Sequence, residues 1–434
     1  MTTTASPAEP STALLTDQYE LTMLAAALRD DTAARPCVFE VFTRRLPEGR
    51  RYGVVAGTAR FLDALERFRF GDEDLAWLRE RGVVDAATLD WLAGYRFSGD
   101  VHGYLEGEVY FPGSPVLTVS APFGEAVLLE TLALSILNHD SAVASAATRM
   151  VIAAQGRPLI EMGTRRTHEQ AALASARAAY LAGFATTSNL AAGRAYGIPT
   201  AGTSAHAFTL LHDTEAEAFA DQVATLGTGS TLLVDTYDIT AGIRTAVEVA
   251  GPGLGAIRID SGDLGVLASQ AREQLDGLGA TGTKIVVSGD LDEYSIAALA
   301  VAPVDAYGAG TAVVTGSGAP TAGFVYKMVE VAGRPVAKRS EHKATSGGRK
   351  TAVRRHRASG TATEEVLVAR GEPDAREHDR ALQREYVRDG KRTDDLPSLT
   401  DSRRHLAGVL VSLPWEGLAL SRGEPAIPVT VVSG

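Results

Sequence analysis

His206 follows Gly202-Thr203-Ser204-Ala205 where a short apolar run gives way to helical spacing. Backbone N–H groups and hydroxyls at such a corner suit an anion, and the imidazole can face the same anion. One His among nine carries little by itself. Six other short apolar runs, however, also end in polar clusters. They close in Gly163-Thr164-Arg165-Arg166, Thr187-Ser188-Asn189, Asp235-Thr236-Tyr237-Asp238, Arg258-Ile259-Asp260-Ser261-Gly262-Asp263, Ser288-Gly289-Asp290 and Gly308-Ala309-Gly310-Thr311. Gly308, Gly310 and Thr311 make a phosphate-cradle candidate, because glycine permits close backbone approach and the threonine hydroxyl adds a donor. Asp260 and Ser261 suit the hydroxyls of a sugar. Arg165 and Arg258 supply planar cations for phosphate or carboxylate. Asp235 is the natural orienter of His206.

The elements that must position these groups alternate. Apolar runs at 158–162, 183–186, 198–201, 231–234, 256–259, 284–287 and 305–307 are separated by helical stretches at 167–181, 214–226, 265–278 and 292–302. Strand and helix in alternation imply a parallel sheet, doubly wound or barrel. Polar, Gly-rich strand ends gathered on one face favour a barrel, whose chemistry sits at that face. The segment spans only about 190 residues against the roughly 250 of a full eightfold barrel, so an irregular or incomplete barrel is expected. Before it, the spacing predicts a helix over 14–28, a strand at 37–42, a helix over 53–68, a small antiparallel sheet between 99 and 121 and buried helices over 125–150. After it, strands at 324–331 and 335–340 precede a charged span, 370–395, read as helix and loop, and an extended tail. The late strands are expected to join the N-terminal sheet. The fold class is therefore α/β, an incomplete barrel over 135–323 with an α/β sandwich built from both chain ends, 1–134 and 324–434.

Composition narrows the chemistry. With 434 residues, 45% hydrophobic and 22% charged, the chain has ordinary globular composition. A net charge of −11 argues against nucleic acid as partner. The single cysteine, Cys37, allows neither an intrachain disulfide nor a multi-thiolate metal site, and no metal-ligand set is proposed. No apolar run approaches a membrane span. The Thr-, Ser- and Pro-rich first twelve residues read as a disordered lead without signal-peptide character, and the expected location is the cytoplasm. No Gly-Lys-Ser/Thr loop and no Gly-x-Gly-x-x-Gly after an early strand is present, which disfavours P-loop and dinucleotide domains. Plainer readings stand beside these. An Asp after a strand is often a helix cap, Tyr19 fills an amphipathic helix, and Arg354-Arg355-His356-Arg357 reads as a solvated face.

Six blocks in this order resemble the nicotinate phosphoribosyltransferase family: Leu15-Thr16-Asp17-Gln18-Tyr19, Phe39-Glu40-Val41-Phe42 with Leu46-Pro47, Glu161-Met162-Gly163-Thr164-Arg165-Arg166, Gly202-Thr203-Ser204-Ala205-His206, Arg258-Ile259-Asp260-Ser261-Gly262-Asp263 and Tyr307-Gly308-Ala309-Gly310-Thr311. The resemblance implies conversion of nicotinate and phosphoribosyl pyrophosphate to nicotinate mononucleotide and pyrophosphate. It further implies ATP hydrolysis through a phosphorylated histidine matching His206, Mg²⁺ carried mainly by substrate phosphates, and a homodimer with shared active sites. By family position, Tyr19 of a partner subunit and the residue at 162 sandwich the pyridine ring beside Arg258. Many relatives have Phe where this chain has Met162. Ser288, Gly289, Gly308, Gly310 and Thr311 would hold the 5′-phosphate. Asn189 stands where nicotinamide-using relatives carry Asp, which favours nicotinate here. His139-Asp140 has no assignment. The alternatives are nicotinamide or quinolinate as substrate on the same fold, and a non-catalytic nucleotide-binding barrel.

Overall fold

The computed structural model describes residues 10–338, 346–371, 373–374, 376–393 and 396–433. Most of the Thr/Ser/Pro-rich lead, the end of the expected 335–340 strand and parts of the 370–395 span lie outside the described residues. The chain divides into two compact units, one made of 1–141 with 321–434 and the other of 142–320.

The first unit is organised by the strand Pro36–Thr43, buried along nearly its whole length. It pairs antiparallel with Leu117–Pro122 on one side and with Phe324–Val331 on the other, so the late chain does return to the early sheet. Strands Asp100–Tyr104, Gln383–Arg388, Lys391–Arg392 and Arg334–Pro335 complete seven. The early antiparallel segment is thus part of a large sheet. A second sheet of Lys350–His356, Ala362–Ala369, Arg380–Ala381 and Val429–Ser433 shares the core, with Ala352 and Leu367 packed among Val101, Leu117 and Phe324. Helix Gln18–Arg29 buries Leu21, Leu24 and Ala27 and leaves Tyr19 on its outer face.

Sequence patterning misplaced several elements here. The run from Gly53 begins as a two-residue strand, and the helix occupies only Thr58–Glu66. No helix lies in the described part of 370–395, whereas one spans Leu399–Ser412. Arg354 is no solvated residue. It is fully buried, donating to Glu108, Glu365 (2.5 Å) and the Val109 carbonyl (2.9 Å), and Tyr104 donates to Glu365 at 2.7 Å. Four basic residues in a row read as surface by composition, but the Lys350–His356 strand turns Arg354 into the core, while Arg357 is exposed. His139-Asp140 also finds a structural place. Asp140 is buried and accepts from Arg60 at 2.7 Å, with the His139 ring 2.9 Å away.

The second unit carries a six-stranded parallel sheet in the order Thr186–Thr187, Leu159–Glu161, Ala306–Ala309, Lys284–Gly289, Ala256–Ile259, Thr231–Leu233. Leu159–Glu161, earliest in the chain, pairs with Ala306–Ala309, the latest, as in a barrel, but no pairing joins Thr186–Thr187 to Thr231–Leu233. The strand expected at 198–201 is one bridge, Thr187 to Thr200. Pro199 has no N–H to donate, so the ladder cannot extend through it. Helices Glu169–Ala182, Glu215–Leu226, Ile239–Ala250 and Leu264–Gly277 return the chain between strands. Their starts are fixed by local oxygens. Thr214 forms a capping box with Glu217, and Asp238 and Asp263 accept from the N–H groups of Ala241 and Val266.

Candidate active site

The C-terminal ends of the six strands gather most of the polar residues singled out above. Arg258 and Asp260 leave the Ala256–Ile259 strand, and Ser288 and Gly289 end the neighbouring one. Arg258 donates Nε–H to Ser288 Oγ at 2.9 Å, one terminal nitrogen to Thr203 Oγ1 at 2.7 Å and the other to Asp260 Oδ1 at 3.3 Å. The Ser288 hydroxyl donates to the same Asp260 oxygen. Burial works against the Asp260 carboxylate, but the Ser288 hydroxyl and the Arg258 guanidinium outweigh it and hold its pKa below the ordinary value. The other carboxylate oxygen of Asp260 accepts no hydrogen bond among the described residues.

Asp235 connects this network to the histidine. Its Oδ2 accepts from the Asp260 backbone N–H (2.9 Å) and the Ser261 hydroxyl (2.8 Å). Its Oδ1 is buried without a hydrogen-bond partner among the described residues and lies 3.8 Å from His206 Nε2. His206 is the first residue of the helix His206–Leu211, with its ring 40% exposed and its Nδ1 3.1 Å from Thr236 Oγ1. Thr203 belongs to the hydroxyl-bearing corner read from the sequence, whereas Thr236 was marked only by its neighbours in the Asp235–Asp238 cluster.

Met162 follows the Leu159–Glu161 strand and packs on Gly308. A Cβ at Gly308 would stand 2.8 Å from Met162 Sδ and 3.0 Å from Ser288 Cβ, so the glycine leaves room for the end of the methionine side chain. Gly310 precedes the short helix Thr311–Val314 and packs near the Met162 carbonyl. Glu161, also not singled out for chemistry, is buried. Burial pushes its carboxyl up, against hydrogen bonds from Thr187 Oγ1 and the Gly163 N–H, each 2.5 Å long. It pins the turn beneath Met162.

Three candidates stand apart from the network. Arg165 lies exposed on the turn Gly163–Arg166. Asn189 is buried and caps the helix Leu190–Tyr196, its Oδ1 accepting from the Ala192 N–H at 2.8 Å and its amide donating to Thr164 Oγ1 at 3.3 Å. Tyr19 belongs to the first unit, 46% exposed, and burial together with Glu130 and Glu20 pushes its phenol up to about 12.

Residues 14–138 match the family described as the nicotinate phosphoribosyltransferase N-terminal domain. A nicotinate phosphoribosyltransferase of Mycobacterium tuberculosis is 62% identical over 428 residues, covering 96% of this chain and 95% of its own. One of Bacillus subtilis is 37% identical over 332 residues, covering 74% of this chain and 68% of its own. The crystal structure of human nicotinic acid phosphoribosyltransferase superposes with a TM-score of 0.83 at 26% identity, covering 96% of this chain and 97% of that one. With near full-length identity of this order and the same fold, the chain belongs to the nicotinate phosphoribosyltransferase family.

Proposed function

We propose that this chain is an enzyme joining nicotinate to phosphoribosyl pyrophosphate, giving nicotinate mononucleotide and pyrophosphate in NAD salvage. The pyridine nitrogen bonds to the anomeric carbon while the bond to pyrophosphate breaks, the leaving group taking the electron pair. Positive charge develops on the ribose. The Asp260 carboxylate, held ionised by Arg258 and Ser288, stabilises it through a preorganised field. Met162 offers one face for the ring. Tyr19 of a second subunit offers the other in a homodimer, and the strand ends at Ser288–Gly289 and Gly308–Thr311 receive the 5′-phosphate.

The observation that carries the coupling to ATP is the unsatisfied, buried Asp235 Oδ1 aimed at His206 Nε2. An imidazole N–H on Nε2 answers it and leaves the lone pair on Nδ1. A phosphoryl group approaching Nε2 would meet that carboxylate, so Nδ1 is the nucleophile. It takes the γ-phosphoryl of ATP with release of ADP, and the phosphoryl passes to water later in the cycle. Among the described residues no group of three His, Cys, Asp or Glu side chains could hold a metal ion alone. Mg²⁺ commonly binds through one or two carboxylates plus substrate phosphates. The second Asp260 oxygen is the ligand we assign. When bound, Mg²⁺ neutralises charge on the departing pyrophosphate.

No helix among the described residues is long and apolar enough to cross a membrane, and the one cysteine is buried and free. The cytoplasm is the setting we assign. Mononucleotide formation measured with nicotinate, nicotinamide and quinolinate, each with and without ATP, tests the reading. Product from nicotinate, enhanced by ATP, is expected. Product from none of the three would overturn it in favour of the non-catalytic alternative.

A further inference from the structure

A second cationic site lies in the first unit, made wholly by the late part of the chain. A cavity of about 470 Å³ is ringed by Arg357, Arg380, Arg404, His356, His378 and His405, in a protein whose net charge is −11. No Phe, Tyr or Trp lines it.

Its charges fall into two sets. Arg380 donates twice to the buried Glu108, at 2.5 and 3.1 Å, and His405 Nε2 stands 2.9 Å from the same carboxylate. Glu108 and Glu365 together balance Arg354 and Arg380, so this inner set is neutral before His405 is protonated. It holds Arg380 and His405 rigidly in the wall. The outer set is not balanced. Arg357 is exposed and its side chain has no partner among the described residues, while Arg404 meets only the exposed Asp401, at 2.7 Å. Asp379, next to His378, is engaged by the Arg376 N–H at 3.1 Å and by Arg355 at 3.7 Å.

Two backbone features belong to the cavity lining. Gly408 sits inside the helix Leu399–Ser412, where glycine costs about 1 kcal/mol relative to alanine, yet a Cβ there meets nothing within 4 Å. No packed neighbour requires this glycine, which is exposed in the cavity lining and leaves room there for a larger side chain. His378 has φ of +104°, a strained value for a residue with a side chain. Its carbonyl faces His356 Nδ1 at 3.2 Å, which keeps that ring at the rim.

We propose that this cavity is a binding site for a compact phosphate-bearing anion, such as inorganic pyrophosphate or a phosphorylated sugar. Guanidinium groups bind phosphate oxygens in pairs. The lack of an aromatic platform disfavours a ligand held by its base, and the volume admits more than a lone phosphate.

Calorimetric titration of the full chain with pyrophosphate, and separately with ribose 5-phosphate, tests this in wild type, the double variant R357A/R404A and G408L. The first variant removes the unbalanced charge, and the second fills the cavity with charge intact. R422A, an exposed arginine paired with Glu48 outside the cavity, is the control for loss of a surface charge elsewhere. At least one probe is expected to lose one site, or to weaken tenfold or more, in both cavity variants and not in R422A. Only the difference between variants is read, so a second site for the probe elsewhere on the chain does not disturb the result. Identical isotherms in wild type and both cavity variants for both probes would overturn the proposal, as would an equal loss in R422A. Thermal melts verify that each variant is folded.

Discussion

His206 Nε2 and Asp235 Oδ1 stand 3.8 Å apart, and the oxygen is a buried acceptor with no other partner among the described residues. An unmet carboxylate oxygen carries a cost that an imidazole N–H relieves. In the proposed mechanism this pair sets the tautomer of the ring. It does so from the far side of Asp260 and Ser261, whose N–H and hydroxyl hold the other oxygen.

His206→Ala is expected to abolish ATP hydrolysis while slow, ATP-independent transfer persists. Asp235→Asn presents an amide in place of the orienting carboxylate and should lower ATP hydrolysis by about 10- to 100-fold, the usual cost of losing an orienting partner. Steady-state assay of ADP and mononucleotide in parallel separates the two. An H206A enzyme that still hydrolyses ATP in step with product would remove His206 from the phosphoryl path.

Asn189→Asp isolates charge from structure. Aspartate is as good a helix cap as asparagine, so the bond to the Ala192 N–H survives. The Thr164 hydroxyl can donate where it now accepts. The fold should be unaffected and kcat/KM for nicotinate should fall by at least tenfold relative to nicotinamide. An unchanged ratio would show that residue 189 acts only as a cap.

Gly308→Ala places a methyl 2.8 Å from Met162 Sδ. Overpacking of this kind costs about 1–3 kcal/mol. Urea unfolding should show that loss, and Met162→Ala added to it should restore part of the stability. The KM for the pyridine substrate should rise in the double variant, because there the ring loses its methionine face.

Arg354→Ala would leave Glu108 and Glu365 buried with one cation fewer, at a cost of about 3–5 kcal/mol. The same cluster predicts acid sensitivity. Burial alone would raise the Glu108 carboxyl, but Arg354, His405 and Arg380 hold it well below the carboxylate range. A depressed folded pKa contributes stability that is complete above the unfolded value of about 4.3 and is lost as pH falls below it. Unfolding free energy should therefore drop below about pH 4. Glu108→Gln should show a shallower pH slope over that window, and an unchanged slope would show that other carboxylates dominate.

The sequence was most legible where backbone period and chemistry coincide. Five of the seven apolar runs at 158–307 contain parallel strands and the 183–186 run meets one at its last residue, and their polar ends meet because a parallel sheet gathers all C-terminal ends on one edge. The 198–201 run failed because Pro199 breaks the ladder, a local rule that apolar content hid. Arg354 and Glu365 illustrate the opposite limit. Each reads as surface, and only long-range pairing of the Lys350–His356 and Ala362–Ala369 strands makes both interior. Asn189 was visible as a polar strand end. That its amide also serves as a cap depends on the helix that begins at Leu190, too short and Gly-interrupted for periodicity to reveal.

The pairing of Pro36–Thr43 with Phe324–Val331 has a consequence for synthesis on the ribosome. Val41 and Tyr326 are partners in the ladder, yet they lie 285 residues apart in the chain. At a synthesis rate of roughly 5–20 residues per second, the nascent strand waits about 15–60 s for that neighbour. Through that interval its apolar edge, Cys37 included, is unpaired on one side. The residues at 142–320 meanwhile have every strand of their own sheet in hand. The order of emergence thus makes the N-terminal sheet the part of the nascent chain most exposed to chaperones and to misassembly.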